Sequence, residues 1–367
     1  MHQWPTNPVA AAGLIAIAVL ICVALAGRSG SGFDATWALV WARDLLHGHV
    51  AAAAPKGFTS TPHPATVLLA IAIRLIGAGH ASAILWAAGI EIAAIALFGG
   101  LIRAGQLVGA PLAGVCGALV LAVQPGLRDA IGRGTIDIVF AAVCVWAIVL
   151  MWRRPAWAIG CASVAALCRP EGWWLLSVML PLHWERSRPT IRLVVLGAMT
   201  ITPIVWLVMG RAMFGDPLAA LRITVTNGNG LRTHHGMGAL VHGVAAAPGI
   251  AAAVLLVSVV AAINNRRHID ALDLATVVGA LMLGTLAFEV LVGAEFVDRY
   301  LIATIALMMP GGLRAVLALA TRQSTPKLLP AAICWALVVI GVASTWSQYA
   351  VVRRNFAAQA DDVASLA

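Results

Sequence analysis

Only 11% of this chain is charged, so a carboxylate or guanidinium beside an apolar run stands out. Asp34 heads the stretch "SGFDATWALVWARDLLHG", with Asp44 further along it. Arg128, Asp129, Arg133 and Asp137 crowd "QPGLRDAIGRGTID", and Arg169 and Glu171 flank Pro170 in "CRPEGWW". Glu295, Asp298, Arg299 and Tyr300 open a late apolar run. A positioned carboxylate can relieve a hydroxyl of its proton as it attacks, a gain of typically ~10²–10⁴-fold. An arginine fork suits the oxygens of a phosphate. Each group also has a plainer reading. Asp is a good helix N-cap, and the mixed Arg/Asp sets have the make-up of helix-end ion pairs, Arg133 and Asp137 falling at i, i+4 if helical. Several such groups among apolar segments favour a site, because ionisable residues at membrane depth are functional candidates by default.

The elements that must carry these groups lie in a bilayer. The chain has 367 residues, 61% of them hydrophobic, which excludes a soluble globular domain of this length. Apolar runs fall at about 9–26, 81–102, 109–124, 136–152, 155–169, 172–184, 190–210, 244–263, 271–292, 299–320 and 328–347. That predicts an all-α polytopic membrane protein with about eleven transmembrane helices. The first run lacks the basic flank of a signal peptide and is expected to remain as a span. The run 63–78 opens with "TPHP", carries Arg74 and is short, so it is read as lying along the interface. The runs 155–169 and 172–184 are short for a crossing and meet at Pro170, which blocks a continuous helix. The formal charge of +9 points to cytoplasmic loop charges and anionic lipid, not to nucleic acid.

With a cytoplasmic N-terminus, "WRRP", "HWERSRPTIR" and "NNRRHIDALD" fall inside, as the positive-inside rule expects. The outer side then receives residues 27–80, the "QPGLRDAIGRGTID" and "CRPEGWW" segments, the loop 211–243 and "GAEFVDRY". Trp37, Trp41 and Leu45 recur at i, i+4 and i+8, which predicts a helix on the outer face with its tryptophans at headgroup depth and Gly48 ending it. The six cysteines lie in apolar runs without a CxxC pair, so neither disulfides nor zinc are indicated. His234 and His235 are adjacent and lack metal-pair spacing, and their loop, "TNGNGLRTHH", reads as a mobile substrate gate.

The stretches "GFDATWALVWARDLLHG", "TPHPATVLLAIAIRLIG", "QPGLRDAIGRGTIDIVF", "LCRPEGWW" and "DRYLIATIALMMP" together resemble the GT-C superfamily of polytopic glycosyltransferases, which use polyprenyl-phosphate sugars outside the cytoplasmic membrane. The resemblance covers mainly residues 1–210, with 211–243 an outer loop and 244–367 C-terminal helices. The alanine-rich composition points to an actinobacterial source, whose relatives include mannosyl- and arabinosyltransferases. The resemblance implies an inverting transfer to an extracytoplasmic glycan or glycolipid, with Asp34 as general base and Asp44 as the fallback. Many members carry a second acid beside the first. Here the position is Ala35, so no metal or other cofactor is indicated. Arg299, Arg169 and Arg133, in that order, are expected to hold the donor phosphate. Glu171, His63, Asp137, Asp298 and Tyr300 are expected to touch substrate. The rivals are a transporter, a lipid-linked-glycan flippase and a ligase. Transporters need midplane polar groups and inverted repeats; here the polar groups gather at one face and no such repeat is seen.

Overall fold

The structure is a computed structural model and describes residues 33–49, 61–77, 79–122, 124–184, 189–220, 222–223, 271–291 and 301–322. All regular structure among them is helical. In chain order the helices are α1 (Phe33–Leu46), α2 (Pro64–Ile76), α3 (His80–Leu107), α4 (Pro111–Ala122), α5 (Pro125–Gly132), α6 (Asp137–Leu150) and α7 (Pro155–Cys168). A 3₁₀ turn at Pro170–Gly172 leads to α8 (Trp173–Trp184), followed by α9 (Pro189–Phe214), α10 (Ala271–Leu291) and α11 (Leu301–Arg322). The expected spans at 9–26, 244–263 and 328–347 lie outside the described residues.

Among the described helices, α3 and α9 are long and apolar enough to cross a bilayer by themselves. The segments Ala113–Ala122 and Gly126–Gly132 form a third such stretch, bent by 64°. The bend has a local cause, since Pro125 cannot donate the backbone bond that would carry the helix through. Helix α2, at 13 residues, is about 20 Å long and falls short of a hydrocarbon core of about 30 Å.

Glycines end the helices at the turns. Gly48, Gly109 and Gly134 all have positive φ. After each, two backbone bonds reach back into the preceding helix: Gly134 N–H to Ile131 O and Thr135 N–H to Ala130 O, with the same pattern at Gly48–His49 and Gly109–Ala110. This αL cap satisfies carbonyls that a helix end leaves open. Gly48 therefore ends α1 as the sequence predicts.

Close packing sets the core. Helices α3, α6 and α7 form its centre with α4, α10 and α11 around them. Gly100 lets α6 approach α3, because a Cβ there would sit 2.8 Å from Val145 Cγ1. Gly105 and Gly114 do the same for α3 and α4, where backbone meets backbone at 2.7 Å from the missing Cβ. Indole N–H groups tie helix to helix: Trp146 to Ala96 O at 2.8 Å, Trp86 to Gly134 O at 2.7 Å and Trp174 to Thr285 Oγ1 at 2.7 Å.

One expectation is corrected here. Trp41 of the α1 stripe does not face the headgroups. Trp41 is only 1% exposed and packs with Val67 and Met213, with Trp37, Leu45, Ile71, Met209 and Phe214 around them. The i, i+4 periodicity showed an apolar face, but helices α2 and α9, not lipid, cover it.

Candidate functional site at one end of the bundle

The residues that could do chemistry gather where α6 begins and α7 ends. Cys168 closes α7 because residue 170 is proline. Proline has no N–H, so the carbonyl of Ala166, four residues earlier, loses its helical donor. Trp206 of α9 replaces it, its indole N–H donating to Ala166 O at 2.9 Å. The chain then turns tightly onto α7. A Cβ on Gly172 would lie 2.4 Å from the Ala165 carbonyl carbon and 2.5 Å from Ala166 N, so only glycine fits.

This turn holds Arg169 and Glu171 in the protein interior. Arg169 donates through Nε and Nη2 to Glu171 Oε1 at 3.1 and 2.9 Å, and through Nη1 to Asp137 Oδ1 at 2.8 Å. Exposures are 7% for Arg169, 3% for Glu171 and 4% for Asp137. Removing the arginine would leave two buried carboxylates uncompensated, so the three act as a unit. Glu171 Oε2 is sealed from solvent and has no hydrogen-bond partner.

His63 stands beside this triad, in the extended residue that precedes α2. Its ring meets Trp206 edge-on at 5.6 Å between centroids. His63 is half-buried as a residue, while its Nδ1 is sealed and without a hydrogen-bond partner. Burial pushes its pKa down to about 4, and the positive charge of Arg169 pushes the same way against the opposing pull of Asp137, Asp34 and Glu171. The imidazole is therefore neutral at pH 7. Those influences also place Asp34 in the same neighbourhood. Asp34 sits in the first turn of α1, and a Cβ on Gly134 would lie 3.8 Å from the methyl of adjacent Ala35. The start of α1 is thus pinned against the turn that leads into α6.

The structure thus groups Asp34, His63, Asp137, Arg169 and Glu171. It does not place the others with them. Asp44 is paired with neighbouring Arg43, whose Nε and Nη2 reach Oδ1 at 3.0 and 2.9 Å, and it lies on the last turn of α1, far from Asp34. Arg133 does not pair with Asp137 at i, i+4, which corrects the helical reading of that segment. Gly134, at φ +62°, breaks the helix between them. Arg133 reaches back to Asp129 at 2.7 Å instead, and Asp137 is released to meet Arg169. Arg299, Asp298 and Tyr300, with Glu295, His234 and His235, lie outside the described residues.

Among the described residues no cluster of three or more His, Cys, Asp or Glu side chains could hold a metal ion. Trp206 is the group that the sequence pattern did not reveal. Its only sequence signal is indirect: the proline at 170 requires some outside donor for Ala166.

No protein-family model matches the chain, and no curated protein matches it in sequence. Solved structures do match in fold. The chain is similar to ArnT from Cupriavidus metallidurans bound to undecaprenyl phosphate, with a TM-score of 0.55 and 14% identity over 96% of this chain and 74% of that one. The apo state of the same protein gives a TM-score of 0.51 at 14% identity, over 94% of this chain and 72% of that one. The described part of the chain is thus helical, carries helices long and apolar enough to cross a membrane, and shares the fold of this ArnT structure.

Proposed function

We propose that this protein is a membrane glycosyltransferase that moves a sugar from a polyprenyl-phosphate donor to a glycan or glycolipid acceptor on the extracytoplasmic face. The observation that carries the reading is the gathering of Asp34, His63, Asp137, Arg169 and Glu171 at one end of an ArnT-like bundle. The undecaprenyl phosphate bound by that neighbour supports a lipid phosphate as leaving group.

In this reaction the Asp34 carboxylate accepts the proton of an acceptor hydroxyl while its oxygen attacks the anomeric carbon. The bond from that carbon to the phosphate oxygen breaks, and the lipid phosphate leaves with the electron pair. A single displacement inverts the anomeric centre. The Arg169–Asp137–Glu171 unit fixes the wall of the site, and Arg299 takes the growing phosphate charge, with Arg133 nearer the surface. Mannose- and arabinose-type sugars are the first donors to try.

The experiment compares Asp34→Asn and Asp44→Asn for transfer from a panel of polyprenyl-phosphate sugars. Asp34→Asn should lose turnover by ~10²-fold or more while the protein stays folded, and Asp44→Asn should keep it. Loss at Asp44 alone would move the base, and full activity in both variants would sink this mechanism.

A further inference from the structure

Two polar atoms at the candidate site are closed to solvent and have no hydrogen-bond partner, Glu171 Oε2 and His63 Nδ1. Neither can easily move to find one. Glu171 is held by the two Arg169 bonds to its other oxygen and by a turn that rests on the backbone of α7 at Gly172. His63 is held between Pro62 and Pro64 and braced by Trp206, which itself is tied to Ala166. A buried acceptor left without a donor carries a desolvation penalty that an arriving donor removes. Protein atoms cover both in this structure, so a ligand group meets them once that cover parts.

The chemistry of that ligand follows from the groups. A carboxylate oxygen only accepts, so its partner must donate. A neutral imidazole nitrogen accepts or donates according to tautomer, and a hydroxyl can answer either. A phosphate can do neither job at Glu171, because it brings acceptors and negative charge to a wall that already holds Glu171 and Asp137. We infer that Glu171 Oε2 and His63 Nδ1 receive hydroxyl groups of the donor sugar, so that this pair, apart from the phosphate-binding groups, selects which sugar is bound. The inference rests on the glycosyltransferase reading for the identity of the sugar-bearing lipid. A site built around acceptors in this way rejects an analogue that lacks the matching hydroxyl far more strongly than an apolar pocket rejects a missing methylene.

The test measures affinity of the full-length protein in nanodiscs for undecaprenyl phosphate and for its mannosyl, arabinosyl, glucosyl and galactosyl derivatives. Wild type should prefer at least one sugar-bearing lipid over the bare one. Glu171→Gln keeps an oxygen for Arg169 and exchanges the other for a donor. It should lower that preference by roughly 10- to 100-fold while affinity for bare undecaprenyl phosphate is unchanged. His63→Ala should lower the preference as well. Deoxy analogues of the preferred sugar supply a test in wild-type protein: one missing hydroxyl should reproduce the Glu171→Gln loss, and the two losses should not add. An unchanged preference in folded Glu171→Gln overturns the inference. So does an equal fall in affinity for bare and sugar-bearing lipid, which would make the glutamate structural. A wild type that discriminates among the sugars but transfers none of them overturns the transferase reading and leaves the recognition pair in place.

Discussion

Replacing Gly172 by alanine tests whether the turn after α7 positions the site. The added Cβ would sit 2.4 Å from the Ala165 carbonyl carbon and 2.5 Å from both Ala165 O and Ala166 N. All three are backbone atoms, so no side chain can rotate out of the way. Ordinary contact begins near 3.4 Å, so turn and helix must part by about 1 Å. Overpacking of this kind costs ~1–3 kcal/mol. The functional cost should be larger, because the same three-residue turn carries Glu171 and follows Arg169 directly. A displacement of about 1 Å in a positioned group can lower turnover by ~10²-fold. Gly160→Ala is the matched control. It lies on the same helix α7, and a Cβ there meets nothing within 4 Å. The assay is sugar transfer in nanodiscs beside thermal unfolding of both variants. Gly172→Ala should lose most of its activity with a modest fall in stability, and Gly160→Ala should lose neither. Full activity in a folded Gly172→Ala would refute the claim that this turn fixes the site.

Other substitutions probe single links of the same construction. Trp206→Phe keeps a ring against His63 but leaves Ala166 O without its donor, so thermal stability should fall by ~1–3 kcal/mol, read from unfolding midpoints. Arg169→Ala leaves Asp137 and Glu171 as buried uncompensated carboxylates, a loss of ~3–5 kcal/mol, and Arg169→Lys cannot span both acids and should rescue only part of it. His63 has a folded pKa of about 4, below its ordinary 6.5, so the unfolded chain holds more protons between those values. Stability should therefore fall as pH drops from about 6.5 toward 4 and stay level above that window, and His63→Asn should remove this slope; equal slopes in the two proteins would exclude the neutral, buried imidazole.

The apolar runs were legible because a bilayer demands long, uncharged helices, and the runs at 81–102, 136–152, 155–169 and 190–210 reappear as α3, α6, α7 and α9. Pro170 gave away the break between α7 and α8, since proline excludes a continuous helix on local grounds alone. The partners of the charged residues were not legible in the same way. Arg133 and Asp137 have helical spacing, but Gly134 adopts a left-handed conformation that turns the chain between them, and i, i+4 spacing carries no warning of this. The stripe of Trp37 and Trp41 was visible, while what covers it depends on α2 and α9, which are distant in sequence. Periodicity reports that a face is apolar. It does not report whether protein or lipid lies against it.

Charge balance decides where a lipid phosphate can go. From the sequence Arg169 is an attractive clamp, a guanidinium beside a proline turn. In the structure three of its nitrogens are engaged, Nη1 by Asp137 and Nε and Nη2 by Glu171. The two acids together outweigh its single positive charge, so a phosphate brought to this wall would meet net repulsion in a setting with little water to screen it. Repulsion of that sign is useful if the wall faces the sugar and not the phosphate. It keeps the two ends of the donor from binding in reverse, a form of specificity that needs no further contact. His63 stays neutral against the pull of those acids because burial and Arg169 hold the proton off, and an uncharged ring can meet a hydroxyl without attracting the phosphate. In the proposed reaction the phosphate is then received by cations away from the triad. Arg299→Ala should weaken binding of bare undecaprenyl phosphate, where Arg169→Lys, in protein that remains folded, should leave it unchanged. The opposite result would return the clamp to Arg169 and require that ligand binding separates it from its two acids.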